Sequence, residues 1–302
     1  MSLADPIAIA TPIFVALVVV EMIVGRLSGR ARFDTADTLT SLTMGFGSSI
    51  AGAFTAGAIA SLAYLVHQYR LFDIGWAWYV FAIAFVLDDL AYYWFHRTAH
   101  RVRWFWASHV IHHSSQHYNL TTALRQTWTG FISLSFLFRL PLLLIGFPWE
   151  MLVVVAGLNL VYQFWIHTET VDRLPRWFEA TMNTPSHHRV HHATNPRYLD
   201  SNYAGVFIVW DRLFGSFVPE DRADPCRYGI TRNLGTFNPL KVAFHEWLVI
   251  GRDLFGARSW RDRLLFMFAP PGWSPDGSRE TSDMIKAKWR RARDGGHGSS
   301  DH

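Results

Sequence analysis

The chain has 302 residues, of which 50% are hydrophobic, 16% aromatic and only 17% charged, with a net charge of +4. A soluble domain usually carries roughly 25% charged residues, so the deficit points toward lipid; no basic stripe precedes the last stretch of the chain, which argues against a nucleic-acid binder. The single cysteine, Cys226, excludes an intramolecular disulfide, zinc-finger sulfur ligation and a CxxC redox pair.

No cleaved leader is expected, because the first residues carry Asp5 and no Lys or Arg. Residues 6–27 therefore read as a retained membrane span, with Glu21 tolerated near its end. Residues 38–69 contain no Asp, Glu, Lys or Arg, a longer run than the roughly 20 residues needed to cross hydrocarbon. A third apolar stretch begins at Ile74 and continues as an aromatic helix through Tyr93 and Trp94. Between residues 126 and 168 the only charges are Arg139 and Glu150, and Gly146 and Pro148 divide the stretch into two antiparallel helices. The predicted fold is an all-α integral membrane protein of about four to five transmembrane helices. From Glu169 onward the sequence is mixed and rich in His, Asn, Pro and Trp, as expected of a cytoplasmic helical cap. Residues 257–273 read as an amphipathic helix lying on the bilayer, and the basic tail from about Arg279 as disordered.

The basic residues orient the spans. Arg26, Arg30 and Arg32 lie between the first and second spans, and Arg97, Arg101, Arg103 and Arg125 between the third and fourth. The second-to-third loop has only Arg70, whereas 19 of the 28 Lys and Arg follow Thr168. The positive-inside bias then predicts a multi-pass protein with these basic segments in the cytoplasm and the amino terminus outside.

Eight of the 15 histidines fall into three clusters: His96 and His100; His109, His112 and His113; His188, His191 and His192. Residues at i, i+3 and i+4 share a helical face, so each cluster can aim its imidazoles together. Neutral imidazole suits iron, zinc, copper and nickel rather than calcium or magnesium. Eight nitrogens exceed the needs of one ion, so two metals are expected, on the cytoplasmic side. His167, at the end of the fifth span, is a ninth candidate at the same depth. His67, His117, His245, His297 and His302 read as ordinary polar residues. His187 adjoins a cluster but points roughly 100° away from His188 on a helix. His187 and Gln163 are candidate supporting residues beside the ligands. Asp89 either accepts the second N–H of a ligating histidine, or Asp88 or Asp89 pairs with Arg139.

These residues resemble the fatty acid hydroxylase and sterol desaturase superfamily, membrane enzymes with an all-histidine di-iron centre, and within it the alkylglycerol monooxygenase branch most. The resemblance rests on the three clusters, on HVIHHSSQHYNLTTALRQ at 109–126, LVYQFWIHTE at 160–169 and NTPSHHRVHH at 183–192, and on NYAG at 202–205 and WDRLFGSF at 210–217. It covers roughly residues 85–245 and divides the chain into amino-terminal transmembrane helices (1–84), a hydroxylase-like catalytic segment (85–245) and an amphipathic, partly disordered tail (246–302). It implies two iron ions, a membrane lipid substrate and O2-dependent hydroxylation beside an ether oxygen, followed by collapse to an aldehyde and a free glycerol. It also implies an external reductant such as a tetrahydropterin. Animal members carry glutamate where this chain has Arg101 and Gln116, which bears on the donor and the exact substrate rather than on the iron site. The alternatives are a fatty acid, sterol or carotenoid hydroxylase or desaturase, and a non-catalytic metal-binding membrane protein. No haem domain, GxGxxG site or iron–sulfur cysteine set is present, so electrons must come from a separate donor. The oligomeric state is not legible.

Overall fold

The computed structural model describes residues 5–296; His297 and His302 lie outside the described residues. Among the described residues the secondary structure is helical, without strands. The helices are α1 (Pro6–Ser28), α2 (Thr35–Gln68), α3 (Trp78–Arg101), α4 (Arg103–His113), α5 (Leu120–Ala123), α6 (Leu140–Ile145, preceded by a 3-10 turn at Ser135–Arg139), α7 (Trp149–Trp165), α8 (Arg176–Thr181), α9 (Pro185–His192), α10 (Val209–Leu213), α11 (Pro239–Gly256), α12 (Trp260–Phe268) and α13 (Ser282–Gly296).

Among the described residues three helices are long and apolar enough to cross a membrane: α1, α2 and α3, of 23, 34 and 24 residues. At 1.5 Å per residue they measure about 35, 51 and 36 Å, against a hydrocarbon core of about 30 Å. The uncharged flank of α2 is bare, with Phe46 and Phe54 exposed, as suits lipid contact. The expected fourth span departs from prediction, because residues 126–134 are turns rather than helix. Local hydroxyls compete for the backbone there: Thr127 accepts from the Thr129 N–H, and Ser133 donates to the Gly130 carbonyl. The turn is fixed from outside by Trp128 Nε1 donating to the Met44 carbonyl.

The hairpin break at Gly146 and Pro148 is real. Gly146 adopts φ 120°, and a Cβ on it would fall 1.9 Å from the Phe72 carbonyl oxygen. The Leu71 N–H also donates to the Leu144 carbonyl. The hairpin tip thus abuts the α2–α3 connection. Val80, Ala84, Leu142, Leu143, Met151 and Val155 form the core beneath it. His96 and His100 occupy the opposite end of α3.

At that opposite end, buried polar contacts join the starts and ends of the long helices. Glu21 of α1 accepts from the Leu120 N–H and from Thr168, and Asn119 donates to the Arg32 carbonyl. Asp37, in the first turn of α2, pairs with Arg125 at 2.6 Å. Arg103 of α4 ties α11 to this end, bonding Glu246 and Asp253; Arg279 shares the same Asp253 carboxylate. Within the tail, residues 282–296 are not disordered but form α13, whose Asp283 pairs with Arg101. Its Ile-Lys-Ala-Lys-Trp-Arg-Arg-Ala-Arg run consists largely of good helix formers, and this ion pair docks it.

Candidate metal centre

Nine histidines converge from four elements. The end of α3 supplies His96 and His100, α4 supplies His109, His112 and His113, the segment just past α7 supplies His167, and α9 supplies His188, His191 and His192. They sort into two groups, one of His96, His100, His109, His113 and His191, the other of His112, His167, His188 and His192; within each group the facing atoms lie within 4.8 Å of one another. The sorting follows helix geometry. Residues four apart differ by about 40° of rotation and residues three apart by about −60°. In each HxxHH cluster the first and last histidines therefore face one group and the third-offset histidine, His112 or His191, turns to the other. The groups abut: His113 stacks on His192 with centroids 4.3 Å apart, and His188 on His191 at 5.1 Å.

Main-chain oxygens fix the rings. His96 Nδ1 donates to the Tyr203 carbonyl at 2.7 Å, His191 Nδ1 to Ser201 at 2.9 Å, His167 Nδ1 to Gln163 at 2.7 Å and His112 Nδ1 to Arg125 at 3.3 Å. A carbonyl can only accept, so in these neutral rings Nδ1 carries the hydrogen and Nε2 is a bare lone pair. Yet His112 Nε2 stands 3.1 Å from His167 Nε2, lone pair against lone pair. Other Nε2 pairs are equally close: His96–His109 2.8 Å, His109–His113 3.1 Å, His113–His191 3.1 Å, His167–His188 3.0 Å and His188–His192 3.2 Å. A cation resolves such contacts. Metal–nitrogen bonds of about 2.1 Å at right angles place neighbouring nitrogens about 3.0 Å apart.

Charge state agrees with this geometry. Burial first, and neighbouring histidines second, hold His109, His113, His188 and His192 well below the usual imidazole value; burial does the same to His167 and His191 and brings His112 to about 4. These rings are neutral near pH 7 and available as donors. His100 Nε2 and His188 Nδ1 are buried without a hydrogen-bond partner, and His100 Nδ1 lies 3.5 Å from Asp200 Oδ1. An all-imidazole donor set of this kind fits a first-row transition metal.

The candidate supporting residues fare differently. Asp89 touches no histidine; its buried carboxylate accepts from the Val206 and Phe207 N–H groups, Trp210 Nε1 and Asn159 Nδ2, while Asp88 pairs with Arg139. Asp89 therefore anchors the loop that follows Tyr203, and Gly205 is required beside it, since a Cβ there would lie 2.7 Å from Asp89 Oδ1. Gln163 acts through its carbonyl, not its side chain, which bonds Asn159. His187 joins neither group and packs against Phe217. Sequence reasoning missed Asp211, which holds the Tyr203 and Ala204 N–H groups at 2.8 Å and so aims the Tyr203 carbonyl at His96. It also missed Asp37, whose partner Arg125 presents its carbonyl to His112. Main-chain acceptors leave no residue-type signature, so the supports could be sought only through the acids that hold those loops.

Residues 81–216 match the family model for fatty acid hydroxylase. The chain is 41% identical over 281 residues to alkylglycerol monooxygenase of Homo sapiens and 40% identical over 280 residues to that of Xenopus tropicalis, each alignment covering 91% of this chain and 61% of the relative. It is 26% identical over 149 residues to an ornithine lipid hydroxylase of Rhizobium tropici, covering 49% of this chain and 45% of that one. The chain thus spans about three-fifths of the length of the alkylglycerol monooxygenases it matches. No solved structure matches it at a significant level. Its apolar helices and its relatives together make it an integral membrane protein.

Proposed function

We propose, from the match of residues 81–216 to the fatty acid hydroxylase family model and the similarity to alkylglycerol monooxygenases, that the protein is a di-iron membrane monooxygenase that hydroxylates alkylglycerol lipids beside the ether oxygen. The observation that carries this reading is the pair of abutting histidine groups whose Nε2 atoms face one another at 2.8–3.2 Å, with those of His112 and His167 meeting lone pair against lone pair. His96, His100, His109, His113 and His191 would hold one iron, and His112, His167, His188 and His192 the other. Bound there, iron would supply the O2 chemistry that inserts one oxygen atom into a C–H bond. The chain's own part is placement: the carbonyls of Tyr203, Ser201, Gln163 and Arg125 orient four rings, and burial excludes bulk water and keeps the imidazoles neutral. Hydroxylation of the ether-bearing carbon gives a hemiacetal, which collapses to an aldehyde and a free glycerol. The electrons come from a separate donor, for which a tetrahydropterin is our first candidate.

The membrane arrangement follows the same reading. α1, α2 and α3 cross the bilayer, and α6 and α7 form a hairpin that enters from the histidine end. At about 26 Å, the 17 residues of α7 nearly traverse the core. Arg26, Arg30, Arg32, Arg97, Arg101, Arg103 and Arg125 all gather at the histidine end, which we assign to the cytoplasm. Leu240, Phe244, Leu248 and Phe255 of α11 and Trp260, Leu264 and Phe268 of α12 are exposed on helices of the cap, and we assign them to the lipid interface.

The test is product analysis. Purified protein reconstituted with iron, O2, a tetrahydropterin and an alkylglycerol should release fatty aldehyde and glycerol, and zinc-loaded protein should release neither. A hydroxylated lipid with its chain intact would instead support the second reading, a hydroxylase acting without chain cleavage, which the similarity to ornithine lipid hydroxylase favours.

A further inference from the structure

Beside the histidine centre lies a separate cavity of about 440 Å³, bounded by α8, α9, α10 and the segment after α10. Arg173, Arg176 and Arg212 line it. Among the described residues none of the three is paired with a carboxylate: Arg212 donates to the Glu179 and Ala180 carbonyls, and Arg173 to that of Glu220. The two carboxylates in the wall are engaged elsewhere. Glu220 pairs with Arg189 at 2.7 Å, and Glu179 accepts from the Leu174 N–H and the Thr184 hydroxyl. The three guanidinium groups of the wall thus face one carboxylate that no cation pairs, that of Glu179, and the cavity keeps an excess of positive charge. Its inner wall includes His187, 3% exposed, whose Nδ1 has no partner in the protein. A buried polar atom without a partner calls for one, and a guanidinium cluster is the standard receptor for phosphate.

The position of the rim says where that phosphate comes from. Leu213, next to Arg212, is 66% exposed, and Val209, one turn earlier on α10, is exposed with it. The following residue, Phe214, packs on Trp94 with centroids 5.0 Å apart. Trp94 lies near the cap end of α3, a helix of spanning length, and is itself exposed. Trp177, adjoining Arg176, is exposed as well. Exposed tryptophan and aliphatic side chains around a cationic cavity at the end of a spanning helix describe the headgroup zone of a bilayer.

We infer that this cavity binds a phosphate group, and specifically the phosphate of a membrane lipid headgroup, through Arg173, Arg176, Arg212 and His187. The site does not depend on the iron chemistry, so binding can be read without turnover and its failure would leave the monooxygenase reading intact. The full chain, purified in an uncharged detergent, is titrated with lysophosphatidic acid, with a monoacylglycerol of the same chain length, and with inorganic phosphate. Lysophosphatidic acid should bind at least about tenfold more tightly than the monoacylglycerol, and Arg176→Gln, at an exposed position, should remove about tenfold of that preference. Arg252→Gln, in a different arginine-lined cavity, should leave it unchanged. Thermal unfolding of each variant checks that the fold is retained, and Arg173→Gln serves as a second variant. Inorganic phosphate that displaces the lipid at equal concentration would overturn the lipid assignment in favour of a free-phosphate site. Equal affinity for the charged and uncharged lipids, or an Arg252→Gln loss as large as that of Arg176→Gln, would overturn the site altogether.

Discussion

Replacing Asp37 with alanine should destabilise the protein and loosen the His112 side of the centre. Asp37 and Arg125 are among the most buried charges in the molecule, with side chains 3% and 1% exposed and a 2.6 Å ion pair. Asp37 Oδ2 also accepts from Ser115 Oγ at 2.7 Å and from the Gln116 and His117 N–H groups at 3.1 and 3.2 Å. Its removal leaves a buried guanidinium uncompensated, which costs about 3–5 kcal/mol. A Tm drop of at least about 5 °C should follow. The effect should reach the metal site because Arg125 also donates to the Ile111 carbonyl and Ser114 Oγ, and its own carbonyl orients His112. Thermal unfolding in detergent, paired with metal analysis of the purified chain, reads both consequences. The double variant Asp37→Ala/Arg125→Met removes the stranded charge and should recover part of the stability, giving a coupling energy in the double-mutant cycle. Single and double variants with additive losses, or a single variant that keeps full stability and metal, would refute the view that this pair braces the site.

Alanine at His96, His100, His109, His113 or His191 should deplete one metal, and alanine at His112, His167, His188 or His192 the other, while His67→Ala and His245→Ala keep both; elemental analysis of each variant decides the partition. Gly205→Ala should lower stability and activity, since the added methyl meets the Asp89 and Asn159 side-chain oxygens at 2.7 Å; a variant with unchanged melting and turnover would contradict the close approach. The metal-free chain should lose stability as pH falls from about 6.5 toward 4, because the unfolded chain takes up protons that the buried rings, His112 at about 4 among them, refuse. A pH series of chemical unfolding that stays flat across this window would contradict the burial of neutral imidazoles.

The spans that could be read from sequence were those whose evidence is local. The uncharged run of α2 needs only its composition to be recognised, and Gly146 with Pro148 marked a turn that the Phe72 carbonyl then makes obligatory. The stretch before α6 misled because its hydropathy is that of a span, whereas its conformation is set by hydroxyls at Thr127, Thr129 and Ser133 and by distant anchors at Met44 and Trp247. The tail misled in the opposite sense: its basic composition suggests disorder, but Asp283 finds Arg101, 182 residues away in sequence. Asp89 stood on the right face of α3, yet its partners come from residues 206–210 and 159, contacts that no periodicity within one helix could reveal.

The histidine spacing carried more than a candidate metal site: it also encoded the division into two groups. A cluster with histidines only at i and i+4, such as His96 and His100, commits both rings to one ion. Adding a third at i+3 obliges that ring to diverge by about 100° from its i+4 neighbour, because a helix cannot bring both to the same point. Two such clusters on facing helices, α4 and α9, therefore cannot close around a single ion without stranding His112 and His191. Each stranded ring instead completes the group built by the opposite helix: His191 meets His113 at 3.1 Å, and His112 meets His167 at 3.1 Å and stacks edge-on against His192. The exchange makes the two groups mutually dependent. Neither α4 nor α9 can shift without disturbing both, which is why the loops that hold them are fixed by buried acids at Asp37, Asp89 and Asp211 rather than left to the histidines themselves.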